Sequence, residues 1–184
     1  MFLVVLLGMA LHPSPVATQG SSHWPGLKFS ATISALRLDY PFPPPRGAGG
    51  EWVPAGTIEA RALPREWFHL AISYTRTGSV EGVACPTESG CGIHPFWSQS
   101  GVLLAGVGVE RAFEDWVPFS GIARGQFSNK RLDHSTWVWY VGVEKGLGER
   151  IGLLLEYRTI RVRWDSGDLG WNQDVGFGLV LRGR

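Results

Sequence analysis

Stretches in which apolar and polar residues take turns recur along this chain, and the connections between them alternate just as regularly between short and long. Period-two alternation marks a strand with two unlike faces. It runs through eight segments, 27–38, 52–62, 66–77, 100–113, 117–127, 135–145, 150–163 and 174–182. The connections after the second, fourth and sixth segments are short: Leu63-Pro64-Arg65, Glu114-Asp115-Trp116 and Gly146-Leu147-Gly148-Glu149. Those after the first, third, fifth and seventh, over 39–51, 78–99, 128–134 and 164–173, are longer and rich in Pro, Gly and charge. A sandwich gives no reason for such bookends, whereas a barrel crossing a membrane has tight turns at one end and open loops at the other. At 9 to 14 residues each segment has the length of a tilted membrane-crossing strand. No apolar run reaches the roughly 20 residues of a spanning helix, because Gly, Pro or charge interrupts every one. The expected fold is therefore all-β, an eight-stranded antiparallel up-and-down transmembrane β-barrel over 21–184.

Alternation alone does not say which face points in. In the third segment Phe68, Leu70, Ile72 and Tyr74 oppose a mixed set with Ser73 and Thr75, and in the last Val175, Phe177, Leu179 and Leu181 oppose Gly176, Gly178 and Arg182. A soluble barrel would carry a dense outer coat of Lys, Glu, Asn and Gln. Only 18% of this chain is charged, and the polar face is built from Gly, Ser and Thr with isolated ions. That composition suits the interior of a narrow barrel, where small residues leave room for large ones. The mid-strand ions on this face are Glu59, Arg61, Glu110, Arg124, Glu144, Glu156 and Arg158. A buried charge without a partner costs several kcal/mol, so four acids and three bases on one interior face predict an ion-paired lumen.

Aromatic residues fall near the ends of the apolar face, where membrane girdles belong. Phe68, Phe113, Trp116 and Phe119 gather near the short turns, and Tyr74, Phe127, Trp137 and Trp171 near the long loops. Beyond the apolar band on the loop side, the outward parity continues into Arg37, Arg76, Arg161 and Arg163. Guanidinium groups at that level are placed to contact lipid phosphates.

At the start of the chain, Phe2 to Leu11 is apolar apart from Gly8 and is followed by prolines and small residues through Gly20. This pattern reads as a signal peptide over 1–20, although no Lys or Arg precedes Phe2. Secretion would place Cys85 and Cys91, separated by Pro, Thr, Glu, Ser and Gly, in an oxidising compartment, where a disulfide would pin the tip of the second long loop. With His94 they make at most three ligands, so no metal site is expected. No phosphate-binding glycine loop or nucleophile elbow is present, and no cofactor is expected. With 17 Lys+Arg against 16 Asp+Glu, no nucleic-acid partner is expected either.

Taken together, the leader, the strand number, the alternating connections and the lumen charges resemble the small eight-stranded outer-membrane barrels of the OmpA/OmpX type. The resemblance spans about 27–182 and is architectural. It implies the bacterial cell outer membrane, outer-membrane lipid including lipopolysaccharide as a contact, the barrel-assembly machinery as a partner during insertion, and a monomer. It also implies a structural, adhesive or surface-interaction role without catalysis. Two other readings stand beside it. Some barrels of this size hydrolyse acyl chains with a His-x-Ser pair and an acid, and His134, Thr136 and Glu144 echo that pattern with Thr as nucleophile. Glu144, however, would lie about 26 Å along the strand from Thr136, too far to orient His134. A secreted lipocalin-like carrier would turn the faces inside out and hold an apolar ligand within.

Overall fold

A computed structural model of the chain describes residues 26–37, 52–84, 92–97, 100–128, 135–163 and 169–183, with side chains placed outside 80–84, 92–97, 162–163 and 169–170. Ten strands form: β1 (Gly26–Arg37), β2 (Trp52–Arg65), β3 (Phe68–Thr77), β4 (Val80–Ala84), β5 (Gly92–Trp97), β6 (Gly101–Glu110), β7 (Trp116–Phe127), β8 (Thr136–Gly146), β9 (Ile151–Arg163) and β10 (Leu169–Arg182). Eight of them close into an antiparallel barrel in the order β1-β10-β9-β8-β7-β6-β3-β2, with each strand beside its neighbour in sequence once the β4–β5 hairpin is set aside. Closure leaves no free sheet edge, which is the condition for strands to cross a bilayer.

Three differences from the sequence reading have local causes. The 78–99 connection contains the β4–β5 hairpin, with Ala84 opposite Gly92, where Gly and Pro obscure the alternation. β10 begins at Leu169 rather than at Asp174, because Trp171 and Gln173 continue its outward parity and Asn172 its inward one. β2 runs through Pro64 to Arg65, with a register shift between Ala62 and Arg65, so the turn falls on Glu66 and Trp67.

Between β6 and β7, Phe113 and Trp116 exchange backbone hydrogen bonds of 2.7 and 2.9 Å around Glu114 and Asp115. Glu114 takes φ 52°, the left-handed value that two-residue hairpin turns demand.

The faces sort as a membrane requires. Ile33, Ile58, Ile72, Leu103, Trp139, Leu155, Phe177 and Leu179 lie outward and more than half exposed. A continuous apolar belt of this kind is covered by lipid rather than water. Inside, Val53, Val102, Leu104, Val138, Leu154 and Val180 are buried with the polar residues. The lipocalin-like reading is thereby overturned, since the apolar set faces out.

β7 departs from the expected pattern. Its inward parity carries Val117, Phe119, Ala123 and Phe127, all buried. Phe119 and Phe127 are thus lumen residues and not members of the girdle. Phe119 fits because it packs where Gly142 of β8 has no side chain; a Cβ there would collide with its ring. Exposed Phe113 and Trp116 remain at the short-turn end, and Tyr74, Trp137 and Trp171 at the long-loop end.

Candidate functional site

The lumen is filled by an ion-pair network that ties opposite walls together. Of the seven charges expected inside, Glu59, Arg61, Glu110, Glu144, Glu156 and Arg158 are buried on the inward face. Arg124 is not. It is exposed on the outer face of β7, paired in register with Trp137 and Ala105, which also point outward. The inversion of β7 is the reason: its inward parity belongs to Phe119 and Ala123, so the even-numbered Arg124 must point to the membrane.

The network has two connected parts. Toward the short-turn end, Lys28 of β1 donates to Glu110 of β6 at 2.5 Å and to Glu144 of β8 at 3.1 Å. Glu144 also accepts from Arg61 of β2 at 2.8 Å, and Arg182 of β10 lies 3.7 Å from it. Arg61 reaches Glu59 on its own strand, and its guanidinium lies 3.9 Å from the centre of the Phe119 ring. Toward the loops, Arg158 of β9 donates to Glu156 at 2.8 Å, to Glu59 at 3.3 Å and to the Thr75 hydroxyl at 3.4 Å. Glu59 joins the two parts, since both arginines contact it. Charges taken so far from water hold only when each has a partner.

A branch leaves this network at His69, which is fully buried on β3. Its Nε2 is 2.9 Å from the Tyr140 hydroxyl, and its Nδ1 is 3.4 Å from Glu110 without hydrogen-bond alignment. Tyr140 donates onward to the Val107 carbonyl at 3.3 Å. Gly108 and Gly121 make the space, for a side-chain carbon at either would overlap His69 or Tyr140.

Lys28 and Asp174 escaped the sequence reading, and His69 and Tyr140, on the polar side of their segments there, were not counted in the lumen network, although all four share an inward parity. The signal was present in β1, where Lys28 keeps step with Ser30, Thr32 and Ser34. Arg182 stood on the polar side of its segment and belongs to the network.

On the outer face near the loops, Arg37, Arg76 and Arg161 are exposed; Arg163 is the last residue of β9, with its side chain outside the description. His134 falls outside the described residues, Thr136 is buried with its hydroxyl on the Arg161 carbonyl, and Glu144 is engaged by Arg61 and Lys28. The signal segment 1–20 and the Cys85–Cys91 pair also fall outside the described residues.

No known family profile matches the sequence, and no curated protein matches it. Among solved structures the fold is similar to a designed transmembrane β-barrel at 13% identity and a TM-score of 0.58, over 88% of this chain and 98% of that one. It is similar to the N-terminal β-barrel domain of Pseudomonas aeruginosa OprF at 10% identity and 0.54, over 87% and 98%. It is also similar to Ail, the attachment invasion locus protein of Yersinia pestis, solved with the heparin analogue sucrose octasulfate, at 11% identity and 0.52, over 87% and 99%. The fold is thus that of small eight-stranded transmembrane barrels of the OmpA/OmpX type, and the likeness is structural.

Proposed function

We propose that this chain is a bacterial outer-membrane protein with a structural or surface-interaction role, carried by its long connections and not by catalysis. The observation that supports it is the division of faces: an apolar belt outside, and inside a lumen plugged by Lys28, Arg61, Glu144, Glu59 and Arg158 in mutual contact. A lumen filled in this way has no bore for a bulky solute, and at this strand number none is expected. Recognition then belongs to the loop end, where the connections are long and the β4–β5 hairpin sits. Ail, a fold neighbour, is by name an attachment protein, a use of such a barrel that supports the same reading.

In this reading the chain is delivered by a signal peptide over 1–20, inserted by the barrel-assembly machinery and stays monomeric. Arg37, Arg76, Arg161 and Arg163 meet lipid phosphates, including those of lipopolysaccharide. The Cys85–Cys91 disulfide closes the tip of the second loop, in line with the β4–β5 register that ends at Ala84 opposite Gly92.

The test is to express residues 21–184, refold them with and without detergent micelles, and compare boiled and unboiled gel migration with far-UV circular dichroism. Detergent-dependent β structure and heat-modifiable migration are the expected result. A monodisperse β protein in plain buffer would overturn the membrane assignment and the role built on it.

A further inference from the structure

The outer face near the loops is not uniform. Arg124 of β7, Trp137 of β8, Arg161 of β9 and Trp171 of β10 stand opposite one another in register, forming a single cross-strand row over four adjacent strands. All four are exposed. We propose that this row is a binding site for the phosphorylated headgroup of a membrane lipid, held by Arg124 and Arg161 against the Trp137 and Trp171 rings. The proposal rests on the reading of the chain as a membrane barrel and adds to it a particular lipid site.

Three observations converge on the row. Strands two apart are about 10 Å apart, so Arg124 and Arg161 flank Trp137 at a separation their long side chains can close around one phosphate. The Arg124 guanidinium already lies 5.4 Å from the centre of the Trp137 ring, within cation–π range, which ties the two side chains to one spot on the face. One rung toward the short turns, Thr159 and Gln173 break the apolar belt with hydrogen-bonding groups in register with Trp139, whereas the outward residues of β3 from Phe68 to Tyr74 are apolar without interruption.

Depth argues for a lipid over a dissolved ion. Arg124 stands eight residues along β7 from Trp116, and Arg161 ten along β9 from Ile151. With tilt these distances rise about 20 and 25 Å, the upper edge of a roughly 25 Å apolar belt. Below the row Val141, Tyr157, Val175 and Phe177 continue outward, a track for acyl chains joined to the same headgroup.

The probe is phosphatidic acid, whose phosphomonoester matches two guanidinium forks. The full chain would be refolded, inserted into phosphatidylcholine nanodiscs containing a small fraction of phosphatidic acid, and the lipid retained after mild release measured by native mass spectrometry. Each variant would first be shown to migrate as a heat-modifiable barrel. Wild type should retain phosphatidic acid over phosphatidylcholine. Arg124→Gln, Arg161→Gln and Trp137→Ala should each weaken that preference about fivefold or more, while Arg65→Gln and Arg150→Gln, which remove the same charge from exposed side chains at the short-turn end, should change it less than about twofold. Equal losses from all four arginines would overturn the site in favour of diffuse attraction and leave the barrel in its membrane. Absence of preference in wild type, or full competition by millimolar inorganic phosphate, would also overturn it. A chain that folds without detergent would instead overturn the membrane reading beneath it.

Discussion

Arg124 and Arg158 are both arginines at mid-strand positions, yet their surroundings are opposite. Arg158 is 4% exposed and holds Glu59 and Glu156, so Arg158→Leu strands the buried Glu156 carboxylate, leaves Glu59 with Arg61 alone, and should cost about 3–5 kcal/mol in urea unfolding of the refolded protein in micelles. Arg124→Leu removes an outward side chain that touches the Trp137 ring, and should change stability by less than about 1 kcal/mol in the same titration. The lumen was legible in the sequence wherever a strand kept its polar set on one parity, as Glu59 with Arg61 and Glu156 with Arg158 do. It was not legible at Lys28, which lies near a strand end, where a single residue does not announce whether it reaches the interior.

Within a strand, the apolar belt and the glycines on the inner face are two halves of one requirement. Ile58 lies 62% exposed midway along β2, so Ile58→Arg should cost about 2–4 kcal/mol in reversible folding into bilayers, and the same change near the short turns far less. On the inner face Gly142→Ala forces its new methyl against the Phe119 ring and should cost about 1–3 kcal/mol, with part recovered when Phe119→Leu is added. β7 shows how far an element can depart from its expected pattern. Phe119 and Phe127 look like girdle residues in sequence, but glycine on the facing strand gives one of them an interior site, and the parity of the whole strand follows. The alternation of β7 was visible; the sense in which it points was not, because Val117, Phe119 and Ala123 are as acceptable to lipid as to a packed lumen.

For the molecule as a whole, ion pairs shut inside a closed wall are poorly reached by mobile ions. Raising sodium chloride from low salt to about 1 M should shift the unfolding midpoint in micelles by little, whereas surface pairs would be screened. A marked loss of stability with salt would mean that the lumen is wetter than its contacts imply. The number of barrel strands, most of their limits to within a few residues and the alternation of short and long connections were determined by the sequence alone. These follow from period two and from turn residues, which act over a handful of neighbours. Only the tertiary structure decided that Lys28 meets Glu110 and Glu144 across the lumen, that Arg61 and Arg158 share Glu59, and that Arg124 joins Trp137, Arg161 and Trp171 on the outside. Those contacts depend on the register of each strand against the next and on the stagger with which the barrel closes. Both are summed around all eight walls and written in no single stretch of chain.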